Sequence, residues 1–170
     1  MDSLQELFQD ELKDIYSAEH QLLKALPKMA KKASSAKLKQ AFTSHLKETE
    51  NQINRLDTIG EELGMKLTGK KCHAMAGLVE EGKEVLEDDG PGAVIDAALI
   101  GAAQRVEHYE MAAYGTVRAM ASELGLAKAA KLLQQTLDEE GNADQKLTAI
   151  AEEEVLADAL AAAEEVASEA

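Results

Sequence analysis

The sequence predicts an all-α protein built on four long helices, and three observations predict it. Apolar residues recur at helical spacing through four stretches of nearly 30 residues. Ala, Leu, Glu and Lys dominate while only five of 170 residues are aromatic, a composition that favours helix over strand. The chain has two prolines, Pro27 and Pro91, so few places force a break. A chain of this length is one domain, or one domain with a tail, and ~70% of its unfolded surface can be buried in a core.

Each element has its own signals. Ser3 with Glu6 forms a capping-box pattern, followed by a stripe of Leu4, Phe8, Ile15, Leu22, Leu26, Met29 and Ala33. This places the first helix near 3–33, with Pro27 as a kink point. Ser34-Ser35 begins a turn and offers a cap for a second helix over about 36–63, striped by Leu38, Phe42, Leu46, Ile53, Leu56, Ile59 and Leu63. Gly64 suits the residue after its end. A shorter amphipathic segment, Ala74–Leu86, follows a polar stretch. It stops at Asp88-Asp89-Gly90-Pro91-Gly92, where Pro91 stands at the start of the next helix. The third long helix spans about 93–123, with Ile95, Leu99, Val106, Ala113, Val117 and Met120 inward. The fourth spans about 126–154, with Leu133, Leu137, Leu147 and Ile150. We therefore expect a helical domain over 1–154. The Ala/Glu-rich tail, 155–170, either extends the last helix or frays.

Two tight connections and one long one define the topology. Tight turns make neighbouring helices antiparallel, whereas a long crossover lets the second hairpin start from the opposite end. The expected fold is a ferritin-like antiparallel four-helix bundle with a short extra helix in the crossover. An internal repeat supports it. At an offset of 91 residues, Phe8 matches Leu99, Ile15 matches Val106, Met29 matches Met120, Leu46 matches Leu137, Leu56 matches Leu147 and Ile59 matches Ile150.

The same offset pairs Glu19 with Glu110 and Glu48 with Glu139. Each of the four falls in register with a core stripe. Four carboxylates in one bundle interior repel each other and lose hydration, at roughly several kcal/mol per ion, unless a cation is present. Ferritin-like dimetal proteins take one Glu from each of two helices and a Glu-x-x-His from each of the other two. Here Asn51 and Asn142 stand where that pattern places histidine, while His45 lies one turn before Glu48. Glu107 lies one turn before Glu110, Glu140 adjoins Glu139, and Asp144 is four residues further on. Sequence leaves open which of Glu139 and Glu140 points inward. The candidate metal residues are Glu19, Glu48, Glu107, Glu110, Glu139, His45, Glu140 and Asp144. Their oxygen-rich chemistry suits two iron ions, or alternatively manganese. His45 either binds metal or hydrogen-bonds a carboxylate. Tyr16 and Tyr114 lie one turn from Glu19 and Glu110, where they either line the site or pack in the core. His20, His73 and His108 are expected at the surface, and Cys72 as an ordinary residue.

Charge and targeting signals narrow the partners. A net charge of −14 argues against nucleic acid and suits a soluble protein that attracts cations. No apolar run reaches the ~18 residues of a membrane span, and the polar N-terminus lacks a signal-peptide layout. A single cysteine excludes an intramolecular disulfide and fits the cytoplasm.

Four segments resemble recurring segments of the YciE/YciF group of ferritin-like bacterial stress proteins: Asp10–Gln21, His45–Thr49, Glu107–Tyr114 and Thr136–Glu140 with Asp144. The resemblance covers about 3–154. It implies a four-helix bundle with a crossover helix, a homodimer and a candidate dimetal centre. The chemistry compatible with such a centre is oxidation of Fe(II) or consumption of peroxide, with metal ions and O₂ or peroxide as partners. The rival reading is a non-enzymatic helical stress protein, or partner-binding dimer, whose metal site is degenerate.

Overall fold

Serine hydroxyls begin the first two helices. In the computed structural model, which describes the backbone of residues 1–168 and the side chains of residues 1–162, Ser3 accepts from the Glu6 amide at 3.1 Å. Ser35 likewise accepts from the Leu38 amide at 3.3 Å. These hydroxyls satisfy amides that lack a partner in the first helical turn. The helices they start are α1 (Leu4–Lys32), which continues through Pro27, and α2 (Ala36–Glu62). The crossover carries α3 (His73–Glu87), and α4 (Gly92–Glu123) and α5 (Ala127–Ile150) form the second hairpin. A π-helical turn at Ala151–Val155 leads into α6 (Leu156–Ser168). Gly64 and Gly125, at φ +63° and +71°, end α2 and α4 in the left-handed conformation that glycine adopts without a Cβ clash.

One buried carboxylate fixes the chain direction of the bundle. Asp96, one turn into α4, accepts from the Ser34 amide at 2.8 Å, the Ser34 hydroxyl at 2.5 Å and the Ser35 amide at 2.7 Å. Helix α4 therefore starts where α1 ends. Gly92 permits the close approach, because a Cβ there would lie 2.9 Å from Ser34 Oγ. Glu154, just beyond α5, accepts from Ser35 Oγ at 2.7 Å and pairs with Lys37 at 3.1 Å, so α5 finishes at the same end. The packed neighbours are α1 with α2, α1 with α4, α4 with α5 and α2 with α5. All four pairs are antiparallel, as the crossover requires in a ferritin-like order.

Helix α3 covers the seam between α1 and α4. Its start is tied to α1: the Cys72 amide donates to Ser17 Oγ at 2.9 Å, and Gln21 donates to the Cys72 carbonyl at 3.0 Å. The expected boundary at 154 falls inside the π turn, where Val155 is buried and α6 packs on α4. Residues 169–170 of the expected tail lie outside the described residues.

The core consists of two apolar blocks. One contains Leu22, Leu26, Phe42, Leu99, Val106, Leu147 and Ile150. The other contains Phe8, Leu12, Ile15, Leu56, Tyr114, Val117 and Leu133. Along every bundle helix, buried polar residues lie between the blocks. Glu19 lies between Ile15 and Leu22, and His45, Thr49 and Gln52 lie between Phe42 and Leu56. Glu107 and Glu110 lie between Val106 and Tyr114, and Thr136 and Glu140 between Leu133 and Leu147. Among the described residues, all the buried polar side chains apart from Asp96 belong to this one layer.

Candidate metal centre

Each bundle helix contributes to the layer. Ligand-capable atoms of His45, Glu107, Glu110 and Glu140 all lie within 4.8 Å of one another, and all four residues are buried. Glu19 completes the cluster from α1, fully buried, with one oxygen accepting from the Tyr114 hydroxyl. Gln52 closes the side facing α5 by donating from Nε2 to Glu140. Such a polar layer is costly unless its groups have partners. Yet Glu19 Oε2, Glu107 Oε2, both Glu110 oxygens, Glu140 Oε2 and His45 Nε2 have no hydrogen-bond partner from the protein.

The electrostatics follow from this crowding. Burial and the neighbouring Glu140 push the Glu19 carboxyl up to about 8, against the Tyr114 hydrogen bond, which favours its charged form. Burial pushes Glu107 up to about 7, against a hydrogen bond with Glu140 and with the charges of Glu19, Asp144 and Glu48 adding to the rise. Glu110 and Glu140 are raised well above the ordinary carboxylate range, mainly by burial. For His45, burial disfavours the imidazolium, but the Glu48 hydrogen bond and the surrounding carboxylates outweigh it, and its pKa rises. A cation would reverse the preference of every one of these acids.

The layer brings together five of the eight residues singled out from sequence: Glu19, His45, Glu107, Glu110 and Glu140. The other three lie outside it. Glu48 is half-exposed and holds His45 Nδ1 at 3.1 Å. Glu139 is half-buried at the edge of the layer, in a bidentate pair with Arg55 at 2.6 and 2.5 Å, and also accepts from Gln52 Nε2 at 3.2 Å. Asp144 accepts from Gln104 at 3.1 Å and lies 3.3 Å from the exposed His108. The expected inward register of Glu48 and Glu139 is thus corrected by one residue. The inward pair is Thr49 and Glu140, also 91 apart. In that register the Glu-x-x-His positions hold Thr49 and Gln52 on α2, and Glu140 and Ala143 on α5.

Sequence reasoning left out Thr49, Gln52 and Thr136, all buried in the layer. The available signal was helical spacing from Phe42 through His45, Thr49 and Gln52 to Leu56. Of the remaining histidines, His73 is exposed and His20 is half-buried, its ring 4.5 Å edge-on from Tyr16. A cavity of 90 Å³ opens between α2 and α5 and reaches His45 and Glu107, with the small Ala41 and Ala143 in its wall and the exposed Asn142 and Lys146 at its mouth.

The family model described as "Domain of unknown function (DUF892)" matches residues 3–160. Protein YciF of Escherichia coli (strain K12) is 51% identical over 152 residues, spanning 89% of this chain and 92% of that protein. The crystal structure of the E. coli stress protein YciF superposes with a TM-score of 0.86, covering 89% of this chain and 96% of that one. YcfI from Rhodopseudomonas palustris, described as a candidate structural protein, is 44% identical with a TM-score of 0.84 and coverage of 87% and 94%. A Xanthomonas campestris protein at 20% identity and a TM-score of 0.72, covering 95% and 97%, shares the fold. Among the described residues no helix is long and apolar enough to cross a membrane.

Proposed function

The chain belongs to the family of the DUF892 domain, and on that footing we propose that its buried polar layer is a dimetal carboxylate centre. One observation carries the reading: six unpartnered nitrogen and oxygen atoms, on five buried side chains, converge between two apolar blocks. Glu19, His45, Glu107, Glu110 and Glu140 would hold two ions, with one imidazole nitrogen among carboxylate oxygens. That donor set suits iron or manganese. Glu48, Glu139 and Asp144 stand around it: Glu48 orients His45, Glu139 anchors α2 to α5 through Arg55, and Asp144 braces Gln104.

When bound, a redox-active pair of metals supplies two-electron chemistry toward O₂ or peroxide, as in Fe(II) oxidation or peroxide consumption. The chain's own part is positioning. Glu48 accepts the Nδ1 proton of His45, which turns the Nε2 lone pair inward to Glu107 and Glu140, 3.4 and 3.6 Å away. Tyr114 holds one Glu19 oxygen and leaves the other for a ligand. Small molecules reach the His45 side through the cavity between α2 and α5. The assembly we propose is a cytoplasmic homodimer.

A second reading has its own support. Thr49, Gln52 and Ala143 occupy positions that carry ligands in the dimetal pattern, and the Gln52 amide already bonds Glu140. Raised carboxyl pKa values also allow the acids to coexist protonated without a cation. In this reading the bundle is a partner-binding stress protein with a degenerate site. Anaerobic purification, metal analysis and Fe(II) titration separate the two. About two ions per chain and an O₂-dependent absorption change support the dimetal centre. Metal-free protein whose stability ignores Fe(II) supports the rival.

A further inference from the structure

A second cavity, on the opposite side of the bundle, has the chemistry of a different ligand. It lies under α3 against α1 and α4 and measures 190 Å³. Leu22, Met29, Leu78, Val79, Leu86 and Val106 give it an apolar wall. Space for it comes from small residues: a Cβ added at Gly82 would still stand 4.0 Å from the Ala102 methyl. The volume falls below the ~300 Å³ at which drug-sized ligands begin, which suits one short alkyl chain.

Its rim carries Lys24 and Lys28, both exposed. Among the described residues neither enters an ion pair, whereas Lys83, also at the rim, is engaged by Glu80 at 3.3 Å and Glu87 at 3.7 Å. The two lysines belong to a wider asymmetry. From His20 to Lys47 the chain has seven lysines and no Asp or Glu, in a protein with 32 acidic residues. Lys24 and Lys28 therefore have no acidic neighbour within a turn along α1, and the apolar cavity opens beside them.

We propose that this cavity binds a single-chain amphipathic anion, a medium-chain carboxylate, with its alkyl chain under α3 and its carboxylate on Lys24 and Lys28. An apolar slot supplies affinity, and two ammonium groups select the sign of the headgroup. The site is independent of the metal centre.

Calorimetric titration with decanoate and with decyltrimethylammonium tests the idea on the full chain. Decanoate should bind at least tenfold more tightly than the cationic amphiphile. Lys24→Gln with Lys28→Gln, both exposed and hence compatible with folding, should weaken decanoate about tenfold and leave the weak binding of the cation unchanged. Ala25→Phe, which narrows the slot, should abolish decanoate binding while circular dichroism stays native. Equal affinity for both amphiphiles, indifference to the lysine pair, or no decanoate binding at millimolar concentration overturns the proposal.

Discussion

His45 Nδ1 lies 3.1 Å from Glu48 Oε2, and this contact sets the direction in which the imidazole faces the layer. The Glu48 side chain is 44% exposed, so its carboxylate remains hydrated while it fixes a ring that is nearly inaccessible. Support of this kind acts through the ligand it orients. Glu48→Gln should therefore weaken Fe(II) or Mn(II) affinity about tenfold without unfolding the protein. His45→Ala should lose most binding of one of the two ions. Isothermal titration of both variants checks this, and equal affinity for wild type and Glu48→Gln would sink the orienting role.

Adjacent glutamates on α5 have opposite roles, and their substitutions should diverge. Glu139 holds Arg55 through two hydrogen bonds at the edge of the layer, where it also accepts from Gln52. Glu139→Gln should cost about 1 kcal/mol of stability and leave metal stoichiometry unchanged. Glu140 is fully buried among other acids. Glu140→Gln should stabilise the metal-free protein, because one member of a repelling cluster becomes neutral, and should lower metal affinity. Denaturant unfolding with and without metal reads both effects.

The contrast between Glu139 and Glu140 also shows what the sequence makes legible. On α1 the stripe through Ile15 and Leu22 brackets Glu19 unambiguously, and on α4 Val106 and Val117 do the same for Glu110. Both residues are buried. On α2 and α5 the stripes include Leu46 and Leu137, which are only half-buried. Counting them as inward rotates each helix by one residue, about 100°, enough to exchange Glu140 for Glu139. The 91-residue repeat hid the slip, because Glu48 and Glu139 are identical whereas the inward pair, Thr49 and Glu140, is not. Repeat symmetry aligns the hairpins with each other and is silent about which face each turns inward. Helix number, crossover and order required only the presence of stripes, so those features were readable.

Asp96 was invisible for a different reason. An isolated Asp one turn into a helix reads as an ordinary solvated charge. Its partners Ser34 and Ser35 are about 60 residues away, and only the folded bundle brings them together. At 1% exposure it accepts three hydrogen bonds that join the α1–α2 turn to α4. Asp96→Ala should cost about 3 kcal/mol by stranding two backbone amides, whereas Asp96→Asn should cost less. Chemical denaturation measures both, and a loss under ~1 kcal/mol for Ala would contradict the bridging role.

The acids of the layer predict an unusual pH dependence. Glu19 and Glu107 are raised in the folded state, to about 8 and about 7, from ordinary values near 4.5. A raised carboxyl means that the folded state binds a proton more tightly than the unfolded chain does. That contribution is fully present below the unfolded pKa and is lost as pH rises through the folded one. Glu110, Glu140 and His45 shift in the same direction. Metal-free protein should lose stability between about pH 5 and pH 8, with Tm falling by at least ~5 °C, a change of roughly 2 kcal/mol for a chain of this size. Cations compete with those protons, so loading at pH 8 should restore Tm and release protons into weakly buffered solution. Glu107→Gln should flatten the profile by removing one titrating group. Differential scanning calorimetry across this range tests the sign directly: a Tm that rises from pH 5 to pH 8 in the absence of metal would mean that the carboxylates are ionised and hydrated in the folded protein, which is incompatible with a closed acidic layer.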